Sequence, residues 1–124
     1  MVTPSAVKLK RKSNLLELHF GAEVFSLPAE FLRVHSPSAE VRGHGPGQAQ
    51  LPYGKIDVAL TGAEPQGNYA VRLLFDDGHN SGIYTWEYLY ELGLHQESYW
   101  QTYLEALAQE GKTRDPHTSV VKIR

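Results

Sequence analysis

Six histidines, His19, His35, His44, His79, His95 and His117, are the side chains best suited to bind a metal or move a proton near neutral pH. None stands in an H-E-x-x-H spacing, which would put two imidazoles on one helix face around a single metal. His35 and His44 flank a stretch rich in Ser and Gly, and His79 stands at a turn, so these three could converge on an open metal or anion site. The competing reading is that turn and loop histidines are solvated or bonded to backbone, and it applies with more force to His19 and His117. His95-Gln96-Glu97 supplies the H-x-E part of a non-haem iron triad. It opens a helix, however, with only His117 after it and no room for a jelly roll, so that site is rejected. Ser36 and Ser38 lack the strand-turn-helix setting of a nucleophile elbow and read as turn or capping residues. The glycines at 43, 45 and 47 have neither the G-K-[ST] nor the abutting helix of a phosphate loop. Asp76 and Asp77 could bind a cation, although a hairpin turn already accounts for Asp77.

The elements that must position these residues are clearest over residues 68–93. Tyr69, Val71, Leu73 and Phe75 alternate with Ala70, Arg72, Leu74 and Asp76, a two-residue strand period with one apolar face and a mixed face behind it. Asp77-Gly78 favours a tight turn with positive φ, which predicts a return through residues 79–84. Thr85 can cap a following helix, with Glu87 in its first turn and Gly93 as a left-handed stop. Upstream, residues 7–11 and 15–20 form a hairpin around Ser13-Asn14. A third short strand through Val24, Phe25 and Leu27 ends at Pro28, and a helix of about one and a half turns follows over 29–34, with Phe31 and Leu32 inward. Residues 35–54 hold four glycines and three prolines, a long loop of the kind that is mobile or carries function. Ile56, Val58 and Leu60 predict another strand, and residues 62–67 a turn. Trp100, Tyr103, Leu104 and Leu107 form one apolar stripe on a helix over 95–110, closed by Gly111. The whole predicts a single α+β domain over residues 1–111, a small antiparallel sheet of five to six strands with two to three short helices, and a flexible tail over 112–124.

With 124 residues the chain can bury a core without staples. It has no cysteine, which excludes disulfides, thiolate nucleophiles and thiolate-held zinc or iron-sulfur clusters, and favours a cytoplasmic setting. No apolar run approaches the roughly 18 residues of a membrane span, and the first residues lack the apolar core of an export signal. The net charge of −2 gives no field for a polyanion, so no nucleic-acid or membrane partner is expected. The basic cluster Lys8, Lys10, Arg11 and Lys12 reads as a solvated hairpin face. Seven aromatics between Tyr84 and Tyr103 exceed what helix spacing can bury, so Trp86 and Tyr90, four apart, could share an exposed patch.

Two segments carry a family resemblance: Phe31-Leu32-Arg33-Val34-His35-Ser36-Pro37-Ser38-Ala39-Glu40-Val41, and Phe75-Asp76-Asp77-Gly78-His79-Asn80-Ser81-Gly82-Ile83-Tyr84 with the helix after it. Together they resemble the N-terminal domain of gamma-butyrobetaine hydroxylases, the DUF971 family, over most of the chain. The resemblance implies a small α+β domain and, in the relatives, zinc held by a C-x-C-x-x-C run and a later histidine. Those positions are Ser36, Ser38, Val41 and His79 here, so it also implies that the zinc site is lost and that His79 is its remnant. Hydroxylation in such relatives belongs to a separate iron and 2-oxoglutarate domain, so no enzymatic activity and no cofactor are expected. The resulting expectation is a non-enzymatic accessory domain that docks onto a protein partner. Its contact surface would be the loop over 35–52 and the edge near His79, with Ser36, Ser38, Arg42, His44, His79 and Trp86 as contacts. The alternative is a metal-binding domain using His35, His44 and His79, connected with iron-sulfur protein assembly.

Overall fold

The computed structural model describes residues 2–38, 50–118 and 121. Six antiparallel strands and three helices are found among them, the strands divided into two sheets of three. The first sheet has the order β1 (Ala6–Lys10), β2 (Leu15–Phe20), β3 (Glu23–Pro28). Leu16, Leu18 and Phe20 alternate inward along β2, the pattern of a strand with one face on the core. Helix α1 (Ala29–Val34) follows Pro28 directly and buries Phe31, Leu32 and Val34, because packing must hold a helix this short.

The second sheet has the order β4 (Leu60–Gln66), β5 (Ala70–Phe75), β6 (Ile83–Thr85). Val71, Leu73 and Phe75 are buried as their alternation requires, whereas Tyr69 lies before β5 and is exposed. The strand expected through Ile56, Val58 and Leu60 begins only at Leu60 and runs through the expected turn. Pro65 can pair there with Val71 because β4 is a sheet edge, where a missing N–H costs no ladder bond. A register shift between Leu60 and Gly62 marks an irregularity in the ladder, and Gly62 approaches the Leu74 side chain closely. Between β5 and β6 the chain reverses as expected, but through a wider loop than a two-residue hairpin. Only Gly78 of the Asp-Gly pair takes positive φ, 87°, and its amide closes a turn on the Phe75 carbonyl at 3.2 Å.

Thr85 caps helix α2 (Trp86–Leu94) by accepting the Tyr88 amide. Gly93 does not end this helix; it lies inside it. A Cβ there would stand 2.5 Å from the Phe25 ring, so glycine is needed for close approach to β3 rather than for left-handed backbone. Helix α3 (Gln96–Glu110) buries Tyr103 and Leu107, and Gly111 caps it at φ 65°. The beginning of the expected tail is tied in: Thr113 and Arg114 carbonyls accept the amides of Gly54 and Ile56 at 2.8 and 3.0 Å. The core joins both sheets to α1 and α2, with Leu16, Leu18, Leu73, Tyr84 and Leu89 fully enclosed. No helix among the described residues is long and apolar enough to cross a membrane.

Candidate functional site

The exit of α1 and the β5–β6 loop, far apart in sequence, meet at three buried polar side chains. Ser36 is 1% exposed, Ser38 8% and His79 5%. The Ser36 and Ser38 hydroxyls lie 2.8 and 3.3 Å from the same ring nitrogen, Nε2 of His79. The Ser38 amide donates back to Ser36 Oγ at 3.3 Å. Gly82 stands behind it, where a Cβ would fall 2.6 Å from Ser36 Oγ. Thus three of the four positions that the family resemblance assigns to zinc ligands do come together. The fourth, Val41, lies outside the described residues. Two neutral hydroxyls hydrogen-bonded to one imidazole do not fit zinc, which takes thiolate, imidazole or carboxylate donors. No group of three or more His, Cys, Asp or Glu side chains suited to a metal occurs among the described residues.

His35, beside Ser36 in sequence, turns to other neighbours. Its ring packs against Phe31, Tyr99 and Tyr103, and Nδ1–H donates to the Phe31 carbonyl at 2.8 Å. Burial pushes its imidazole below the ordinary pKa, against the opposing effect of that carbonyl. His44 and Arg42, with the central part of the expected contact loop, lie outside the described residues. Trp86 is 9% exposed and donates its indole N–H to the Asn68 carbonyl at 2.9 Å, so it belongs to the core. Its expected neighbour Tyr90 packs edge-on against Phe20 and Phe25 and donates to Glu23. Of the side chains expected to form a contact surface, Ser36, Ser38, His79 and Trp86 are therefore interior.

What stands at the surface beside this clasp of Ser36, Ser38 and His79 is a charged cluster. Asp77 accepts Arg33 Nε–H at 2.8 Å and Lys55 Nζ at 2.7 Å, both on Oδ2, while Oδ1 accepts the His79 amide at 3.1 Å. Burial works to raise the Asp77 carboxyl, but the bonds from Lys55, the His79 amide and Arg33 outweigh it and bring the pKa down to about 2. Arg33 Nη1 is buried without a hydrogen-bond partner among the described residues. An open concavity of about 530 Å³ lies here, lined by Arg33, Gln50, Leu51, Pro52, Tyr53, Lys55 and His79. Lys112 Nζ sits 4.4 Å from the centre of the Tyr53 ring. A second concavity, of about 550 Å³, lies between α1 and the α2–α3 junction, where Arg114 is engaged by both carboxylate oxygens of Glu30 and lies over Trp100.

Arg33 and Lys55 were not legible as site residues. Arg33 and Asp77 are 44 positions apart, and no local period connects them. The only available signal was an arginine in the last turn of a short helix next to the family segment.

Comparison with known proteins agrees with this architecture. Residues 7–90 match the family model described as gamma-butyrobetaine hydroxylase-like, N-terminal. A protein solved in solution by NMR is 55% identical, with 99% of this chain and 98% of that one covered and a TM-score of 0.86. A second NMR solution structure is 43% identical over 100% of this chain and 94% of the other, with a TM-score of 0.79. The crystal structure of a protein of unknown function from Acidithiobacillus ferrooxidans, of the DUF971 family, is 36% identical. It covers 73% of this chain and 92% of its own, with a TM-score of 0.62. No curated protein matches.

Proposed function

The chain belongs to the gamma-butyrobetaine hydroxylase-like N-terminal family, and from that premise we propose that it acts without catalysis, as an accessory domain that docks onto a partner protein. The buried Ser36–His79–Ser38 clasp carries this reading. A serine–histidine pair at 2.8 Å has the spacing of an activated nucleophile, but a nucleophile must meet its substrate, and Ser36 is enclosed. Both hydroxyls engage the same imidazole nitrogen, so the group acts as a mechanical tie between the α1 exit and the β5–β6 loop. That tie supports the neighbouring surface of Arg33, Lys55 and Tyr53, which is the face proposed to meet the partner. The proposal therefore moves the contact surface from the buried clasp residues to the charged rim beside them.

Photo-crosslinking side chains placed one at a time at positions 53, 55 and 24 test this. Val24 is exposed on β3 and serves as the reference position. Positions 53 and 55 are expected to give one discrete protein adduct that position 24 does not. Equal adducts at all three, or none at 53 and 55, would overturn docking at this face.

A further inference from the structure

We propose, resting on the docking reading above, that the concavity beside the clasp seats an acidic peptide segment of the partner, with Arg33 and Lys55 receiving a carboxylate side chain. Two cations share a single carboxylate oxygen here, Oδ2 of Asp77, and the other oxygen is taken by the His79 amide. The cluster thus keeps a net positive charge after its internal pairing. Lys112 adds a further cation nearby, held over the ring of Tyr53, which lines the concavity. Among the described residues Arg33 Nη1 has no partner although it is buried, and an unsatisfied buried donor is rare in native proteins because its desolvation goes uncompensated. A guanidinium with Nε engaged and Nη1 open retains a donor for a second carboxylate. The Arg33 side chain is 11% exposed and lines the concavity.

The apolar part of the lining favours a peptide over a lone ion. Leu51, Pro52 and Tyr53 offer apolar surface for the methylene stem of a glutamate and for a neighbouring apolar residue. About 530 Å³ is far more than a carboxylate group fills. The second concavity carries no comparable demand, since its arginine is already met by both oxygens of Glu30.

The test is an NMR titration of the isotope-labelled protein with three probes: a blocked Gly-Glu-Leu-Glu-Gly peptide, its Gly-Gln-Leu-Gln-Gly counterpart, and glutarate. Saturable shifts are expected at the Tyr53 and Lys55 amides and at Arg33 Nε–H with the glutamate peptide. The glutamine peptide should bind at least roughly tenfold more weakly, as should glutarate, which lacks the apolar residue and the backbone. Arg33 is the more buried of the two cations and its replacement endangers the fold, so Lys55→Gln and Lys112→Gln carry the mutational arm. Each should weaken the glutamate peptide, Lys55→Gln by about tenfold, with the amide dispersion of a folded chain retained. No saturation, indifference to Lys55→Gln, or glutarate binding as tightly as the peptide would overturn the inference. Failure of the peptide with the 53 and 55 crosslinks intact removes the acidic-peptide inference alone. Failure of both removes the docking reading as well.

Discussion

Ser36 is the residue on which the clasp turns, because its hydroxyl meets His79 Nε2 at 2.8 Å and also accepts the Ser38 amide. Ser36→Ala keeps the shape and removes both bonds, while Ser38 stays 3.3 Å from the imidazole nitrogen. Buried polar groups that lose a partner cost about 1–3 kcal/mol, so the variant should unfold at lower urea with an unchanged slope. A change below about 0.5 kcal/mol would mean that the clasp does not tie the loop to α1. At this scale the sequence was informative only through the family pattern. The 36, 38 and 79 positions follow no helical or strand period, and nothing in composition places them together. Motif order did so, and the structure puts the three side chains within one buried group. The same reasoning could not find Arg33 and Lys55, since pairing of surface charges depends on the fold that brings them together.

Among the elements, α2 shows where local rules mislead. Gly93 after an apolar stretch resembles a left-handed stop, yet the helix continues to Leu94 and the glycine faces the Phe25 ring. The two roles predict opposite outcomes for Gly93→Ala. Judged by helix propensity alone, the change would stabilise the chain by up to about 1 kcal/mol. With ring atoms 2.5 Å from the new Cβ, α2 or β3 must move, and a net loss of about 1–3 kcal/mol is expected in chemical denaturation. Partial recovery in a Gly93→Ala, Phe25→Leu double variant would assign the loss to this contact, whereas a more stable Gly93→Ala chain would refute it. Strong periods made most other elements legible. The alternation of Leu16, Leu18 and Phe20, the stripe of α3 and the Thr85 cap all follow from the spacing of side chains. β4 did not, because glycine and proline signal turns locally. Only the position of this strand at a sheet edge, a property of the whole fold, makes Pro65 acceptable within it.

Across the whole molecule, a few polar side chains join units that strand and helix periods describe separately. Asn14, in left-handed backbone at φ 55°, donates to the Val58 carbonyl at 2.8 Å and accepts the Leu60 amide at 3.0 Å, linking the first hairpin to the second sheet. Asp77 joins three segments: α1 through Arg33, the stretch before β4 through Lys55, and its own loop through the His79 amide. Its folded pKa of about 2 lies below the ordinary 3.8, so the unfolded chain takes up the proton first as pH falls. The Asp77 contribution is accordingly complete above about pH 4 and is lost as pH falls through about 2. Asp77 is partly exposed, so salt should reduce the effect. Urea midpoints of the natural chain and Asp77→Asn, followed from neutral pH down to about pH 2, isolate this one group from the other carboxylates. The natural chain should be the more stable at neutral pH, with the difference narrowing steadily below about pH 4. A difference that stays constant across that window would show that Asp77 holds these segments by hydrogen bonding alone, and that its negative charge is not what joins them.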